Sequence, residues 1–265
     1  MKKYNKLLFF VKRRLFTILL LFLAVVAHAQ RPKVKNLTTF DDKKLHFGFS
    51  LGVSSLDFGI KHYTPIGENP DFTPKIWTGD TRQIGANDTV RADIGKNVPG
   101  FTVSIISSLR LTRDLELRFL PGLSFGERRL VYNIPVVDTN TSYDESNYEY
   151  SIKSTFLDFP LLIKYKARRI NNDRPYVVFG VAYRQDIART ANEDLVQLKN
   201  SGFYAEVGAG WDTYLLFFRF SVEAKVSIGL FDQLGKAPDS TQRQYYSNAI
   251  NKLTSNIFTL SFHFE

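Results

Sequence analysis

Along most of the chain, large apolar side chains recur at every second position, the period of a strand whose two faces meet different surroundings. From Lys44 onward the odd positions Leu45, Phe47, Phe49, Leu51 and Val53 are apolar, while His46, Gly48, Ser50, Gly52 and Ser54 are small or polar. The phase slips at Ser54-Ser55 and resumes with Leu56, Phe58 and Ile60, which predicts a β-bulge at that point. Between 218 and 230, Phe218, Phe220, Val222, Ala224, Val226, Ile228 and Leu230 alternate with Arg219, Ser221, Glu223, Lys225, Ser227 and Gly229. At 256–264, Asn256, Phe258, Leu260, Phe262 and Phe264 alternate with Ile257, Thr259, Ser261 and His263.

Eight such segments are predicted, at 44–60, 99–111, 115–132, 151–166, 174–188, 202–214, 217–230 and 254–265. Their connections alternate in length. Long ones cover 61–98, 133–150, 189–201 and 231–253; short ones are Thr112-Arg113-Asp114, the run Ala167 to Asp173, and Leu215-Leu216. Four long connections on one side and three short ones on the other define the expected fold class. It is an all-β, eight-stranded antiparallel up-and-down transmembrane β-barrel with four long extracellular loops and short periplasmic turns. Pro121 and Pro160 disagree with simple strands, because each removes a ladder donor. Bulges or positions above the membrane are the expected remedy.

A soluble, lipocalin-like barrel with a greasy interior would alternate in the same way, so the direction of the faces decides. The polar face is built largely from Gly and Ser, with Gly208 and Gly210 repeating the pattern of the first strand. Glycine weakens a strand and has little place on a solvated exterior, but a narrow eight-stranded lumen needs it. The apolar face is aromatic, drawing on 23 Phe and 13 Tyr. Tyr165, Trp211, Tyr214, Phe218 and Phe264 are expected to form a girdle at the periplasmic rim, and Tyr132, Tyr183 and Phe203 one at the opposite rim. The apolar face therefore points to lipid.

The N-terminus changes how the charge is read. Lys2, Lys3, Lys6, Lys12, Arg13 and Arg14 precede thirteen mostly apolar residues, Leu15 to Ala27, and an Ala27-His28-Ala29 cleavage site. This is the layout of a signal peptide spanning 1–29, and its apolar run is too short for a membrane-spanning helix, which takes about 20 residues. Residues 30–43 are then a basic periplasmic N-terminal arm, expected as a flexible lead-in, and 44–265 the transmembrane barrel. Six of the 35 basic residues leave with the signal, so the mature balance is 29 against 26 acidic residues, or +3. Net charge thus gives no argument for nucleic acid. The chain has no cysteine, which rules out a disulfide framework and a lipoprotein anchor. The expected location is the cell outer membrane, with lipid as a partner and no small-molecule substrate.

Candidate chemistry is sparse. Arg110, Glu116, Arg118, Asp158, Lys164, Arg184, Glu206, Asp212, Arg219, Glu223 and Lys225 fall on the inward face with mixed signs, as an internal salt-bridge network would. His46 and His263 are a candidate inward pair near the periplasmic end, since closure joins the first and last strands. His62 stands at a strand end. A barrel enzyme would need His62 and a loop carboxylate in concert, but there is no nucleophile signature, phosphate-cradling loop or metal-ligand spacing. The reading is of a non-enzyme with no cofactor. The long loops, for example Pro65 to Pro74 and Asp138 to Asn147, carry few apolar anchors and are expected to be solvated.

Three stretches carry a family resemblance. Phe156-Leu157-Asp158-Phe159-Pro160-Leu161-Leu162-Ile163-Lys164-Tyr165-Lys166, leading through Arg168-Arg169-Ile170-Asn171-Asn172 to Arg174-Pro175-Tyr176-Val177-Val178, resembles the PorT family of Bacteroidetes, called SprT in gliding species. Leu117-Arg118-Phe119-Leu120-Pro121-Gly122-Leu123-Ser124-Phe125 and Phe40-Asp41-Asp42-Lys43-Lys44-Leu45-His46-Phe47-Gly48 are similar to the same family. The resemblance implies a part in type IX secretion, which exports proteases, adhesins and gliding adhesins, as a component or assembly factor touching other type IX secretion components. It implies no catalytic residue. The alternative is a general small barrel for envelope integrity or surface binding.

Overall fold

The computed structural model describes residues 35–72, 85–138, 141–188, 196, 198–235 and 247–265, with side chains described outside 133–150. The expected signal peptide, 1–29, lies outside the described residues, as do residues 30–34 of the arm. Ten strands follow in chain order: β1 (Leu45–His62), β2 (Arg91–Ile94), β3 (Pro99–Arg110), β4 (Leu115–Phe119), β5 (Gly122–Asp138), β6 (Thr141–Lys166), β7 (Asp173–Asp186), β8 (Ser201–Tyr214), β9 (Arg219–Gly229) and β10 (Ile250–Phe264). All pairings are antiparallel, and β1 pairs with both β10 and β3, closing a ring. β4 and β5 form one wall strand between β3 and β6, so the ring has eight members. β2 is an extra strand that pairs with the upper part of β5.

The break between β4 and β5 falls at Leu120-Pro121, where the missing N–H interrupts the ladder. No bulge forms: Ser107 faces Phe119 and Ser104 faces Gly122 in one unbroken register. Pro160 stays within β6, opposite Ala182. The proline carbonyls still serve, with Leu120 N–H donating to Pro160 O at 3.2 Å and Ile105 N–H to Pro121 O at 2.9 Å. The expected bulge at Ser54-Ser55 is also absent, since β1 keeps register with β10 from Phe49 to Lys61.

What changes at Ser54-Ser55 is the chemistry of the two faces. Up to Ser54 the buried inner positions are His46, Ser50 and Ser54, and the outer ones Leu45, Phe47, Phe49, Leu51 and Val53 are exposed. Above it Leu56 and Phe58 turn inward and are buried, while Ser55 and Asp57 face out. β10 inverts at the same row, since Leu56 pairs with Ile257. Its Leu253 and Ile257 face in with Thr254 and Asn256 outside, then Thr259, Ser261 and His263 face in with Phe258 and Leu260 outside. The wall is thus greasy outside in its lower part and greasy inside in its upper part.

The upper interior is filled by the long connections, contrary to the expectation that they are solvated. Phe58, Leu130, Tyr132, Ile152, Ile250 and Leu253 from the strands pack against Ile66, Val90, Ala92, Val196, Leu198 and Ala249, which come from the long connections and β2. Tyr132 is fully buried in this cap, so it is no girdle residue. Segment 133–150, expected as a loop, is mostly ladder: β5 and β6 stay paired from Asn133–Asn147 up to Asp138–Thr141. Among the described residues no helix is long and apolar enough to cross a membrane.

Candidate functional site: the lumen and its periplasmic cork

A barrel of eight strands leaves an interior just wide enough for side chains. Glycine decides who fits. A Cβ at Gly210 would lie 2.4 Å from the ring of Tyr176, and one at Gly126 would lie 2.4 Å from Leu56 Cδ1. Tyr176 therefore lies over the neighbouring strand only because its cross-strand partner Gly210 is bare backbone.

Alternation carries the charged residues of β4, β6, β7, β8 and β9 onto that inner face. Six cations, Arg118, Lys164, Lys166, Arg184, Arg219 and Lys225, meet six carboxylates, Glu116, Asp158, Glu206, Asp212, Glu223 and Glu265. In the lower group Arg118 reaches Glu223 and Glu265, each at 3.1 Å, and Lys164 lies 2.7 Å from Asp212. Arg219 pairs with Glu265, and Lys166 with Glu116. The Tyr176 hydroxyl donates to Glu223 at 3.0 Å, and Ser221 to Asp212 at 2.6 Å. In the upper group Arg184 lies 3.1 Å from Asp158 and 2.7 Å from Glu206, which Lys225 also approaches at 2.7 Å. Ile106, Leu120, Leu162, Tyr176 and Val178 pack between these charges. Burying so many ions is tolerable only because their signs match and their hydrogen bonds are shared.

The cavity beside Asp158, Arg184, Glu223 and His263 measures about 30 Å³, room for about two waters at 10–15 Å³ of free volume each.

The periplasmic mouth is corked by the arm, which was expected to be a flexible lead-in. Its 3-10 turn Phe40–Asp42 enters the barrel end. The Phe40 ring stacks on His46 at 4.2 Å, and the Arg219 guanidinium lies 4.9 Å from its centroid. The Asp41 carboxylate accepts from the Tyr214 hydroxyl at 2.8 Å and lies 3.4 Å from Arg174, 3.7 Å from Lys166 and 3.9 Å from Arg169. Upstream, Asn36 N–H donates to Asn172 Oδ1 at 3.1 Å and Asn36 Nδ2 to the Tyr214 carbonyl at 3.0 Å.

Of the residues singled out by alternation, Glu116, Arg118, Asp158, Lys164, Arg184, Glu206, Asp212, Arg219, Glu223 and Lys225 are buried together in the lumen. Arg110 is not among them: it stands at the rim, its side chain 31 % exposed, donating to the Asp41 carbonyl. Tyr214, expected in the lower girdle, points inward with no exposure; it shares parity with Asp212, and the aromatic ring misdirects the reading. His46 and His263 do not meet. His263 pairs with Ser50, four positions along β1 from His46, about 13 Å at 3.3 Å per residue. It lies instead 3.4 Å from Glu223. His62 is tied to β2, whose Ala92 N–H donates to its Nε2 at 3.0 Å. Lys166, Arg174, Arg128 and Glu265 were missed. Counting by two onward from Lys164, back from Tyr176, and onward from His263 would have found three of them. Arg128 hides above the inversion, its guanidinium 4.4 Å from the Phe58 ring centroid.

A closed sheet with an apolar exterior, a charge-matched interior and short turns at one end is a transmembrane β-barrel of the outer-membrane class. Residues 28–235 match the family described as outer membrane protein beta-barrel domain, and the chain belongs to that family. No curated protein is detectably similar in sequence. Among solved structures, OprG from Pseudomonas aeruginosa is 11 % identical over 83 % of this chain and 91 % of its own, with a TM-score of 0.38. The N-terminal β-barrel domain of OprF from Pseudomonas aeruginosa is 13 % identical over 81 % and 97 %, at 0.28. Ail of Yersinia pestis is 11 % identical over 84 % and 98 %, at 0.31. The protein resides in the outer membrane.

Proposed function

We propose that this barrel is a non-enzymatic, PorT-like protein that supports type IX secretion by touching other components of that machinery at its rims. The observation that carries the reading is the filled interior. Among the described residues, packed side chains fill the interior from Phe40 to the apolar cap, and the cavity between the two groups of charges measures about 30 Å³, which offers no path for folded cargo. A barrel that passes no cargo acts through its surfaces. The stretches that resemble the PorT family lie in the cork, β1, β4–β5, β6 and β7, on one side of the ring with β3 between β1 and β4–β5. Deletion of the gene is expected to leave secretion cargo inside the cell as unprocessed precursor. Normal cargo maturation in that strain would overturn the secretion role and leave envelope integrity as the reading.

A further inference from the structure

One turn of the periplasmic rim has the wrong chemistry for water. Leu215, Leu216, Phe217 and Phe218 join β8 to β9, and the backbone closes on itself where Leu215 N–H donates to Phe218 O at 3.0 Å. Leu216 is 71 % exposed and Phe217 89 %. The other two turns at this rim are Thr112-Arg113-Asp114 and Ala167–Asn172, which carries Arg168 and Arg169. Four consecutive apolar residues in an aqueous turn would be an association hazard.

The turn has no freedom to fold these side chains inward. The residues on either side of it, Tyr214 and Arg219, face each other across the strands and are fully buried. Tyr214 is held by Asp41, and Arg219 by Glu265. With the lumen full, the turn's side chains must project from the rim. They also continue an aromatic belt: Phe218 and Phe220 lie 6.0 and 5.3 Å from Phe264, which stacks at 4.8 Å on the exposed Phe49. Phe49 belongs to the lipid-facing stripe of β1.

We infer that the Leu215–Phe218 turn is a membrane-inserted element, immersed in the phospholipid acyl chains of the periplasmic leaflet. The barrel stands deeper on its β8–β9 side, and the Arg113 and Arg168-Arg169 turns present the water-facing part of the rim. A phospholipid leaflet is the occupant because the turn is apolar throughout and continuous with a surface already covered by acyl chains.

The test uses a single fluorescent reporter. In the full-length protein carrying Trp77→Phe and Trp211→Phe, Phe217→Trp is compared with Phe49→Trp, a lipid-facing reference, and Arg113→Trp, a reference in a charged turn. Each is reconstituted into phosphatidylcholine vesicles with brominated acyl chains, after heat-modifiable migration on gels confirms the folded barrel. Phe217→Trp is expected to emit at short wavelength and lose most of its fluorescence to bromine, as Phe49→Trp does. Emission unquenched and red-shifted like that of Arg113→Trp would overturn the inference. Because the readout needs only lipid, it is independent of any role in secretion.

Discussion

Asp212 shows what the lumen demands of a single side chain. It accepts from Lys164 at 2.7 Å and from Ser221 at 2.6 Å with no exposure to solvent. Replacing it with alanine leaves the Lys164 ammonium buried without its paired carboxylate, a loss of about 3–5 kcal/mol for breaking one side of a buried pair. Equilibrium unfolding of Asp212→Ala in urea and detergent should show that loss. Gly210→Ala tests the opposite fault, excess volume. Its new methyl meets the Tyr176 ring at 2.4 Å, whereas at Gly85 the nearest atom is 3.6 Å away. The first substitution is expected to lower stability by about 1–3 kcal/mol, as overpacking does, and Gly85→Ala to leave the unfolding midpoint near that of the parent.

At the scale of elements, the arm and the long connections behave as lids. The arm is held by one carboxylate among Arg174, Lys166 and Arg169, together with the Tyr214 hydroxyl. A charge-assisted hydrogen bond contributes roughly 1.5–3 kcal/mol, about the cost of ordering the backbone of one or two residues, so Asp41 works together with Asn36 and Phe40. Asp41→Ala is therefore expected to free the arm while the barrel stays closed. Trypsin should then cut at Lys43 and Lys44 faster in the variant, with the strands still resistant. A cleavage rate equal to the parent's would mean that Phe40 and Asn36 hold the arm without Asp41. The connection lids work by another force: Ile66, Val90, Val196 and Leu198 are buried because the upper strands turn apolar positions inward to receive them.

Taken whole, the molecule is two barrels in series. The lower part faces hydrocarbon and hides its ions; the upper part faces water and hides its hydrocarbon. The row where Ser54 and Leu56 meet Thr259 and Ile257 marks the level at which the surrounding medium changes. Among the described residues such a stack holds no continuous aqueous path. Vesicles containing the protein should neither swell in sucrose nor conduct ions above the background of empty vesicles. Swelling at the rate given by an open porin would show that the lumen opens in the membrane.

Most of the wall was legible from alternation alone, because a side-chain period of two is fixed by backbone geometry wherever one face is lipid and the other a packed lumen. Leu45 to Val53 and Phe218 to Leu230 could be read directly, and so could ten of the buried charges, including Arg118 and Glu223. The alternation at Ser54 reads as a bulge because a change of medium and a slip of one residue leave the same mark in a sequence. Only the register of β1 with β10 separates them. Tyr214 and Tyr132 were placed outside because an aromatic ring suits an interface, yet the chain position fixes the face and the ring must follow.

The sequence by itself determined the eight-membered ring, its closure and the outward grease of its lower part, since each follows from local periodicity and connection length. Tertiary structure alone decided which carboxylate meets which cation, that His46 and His263 stay apart, and that an acidic turn at Asp41 corks the mouth. Those choices depend on register and on contacts between residues from tens to more than a hundred positions apart, and no short-range pattern in a chain records them.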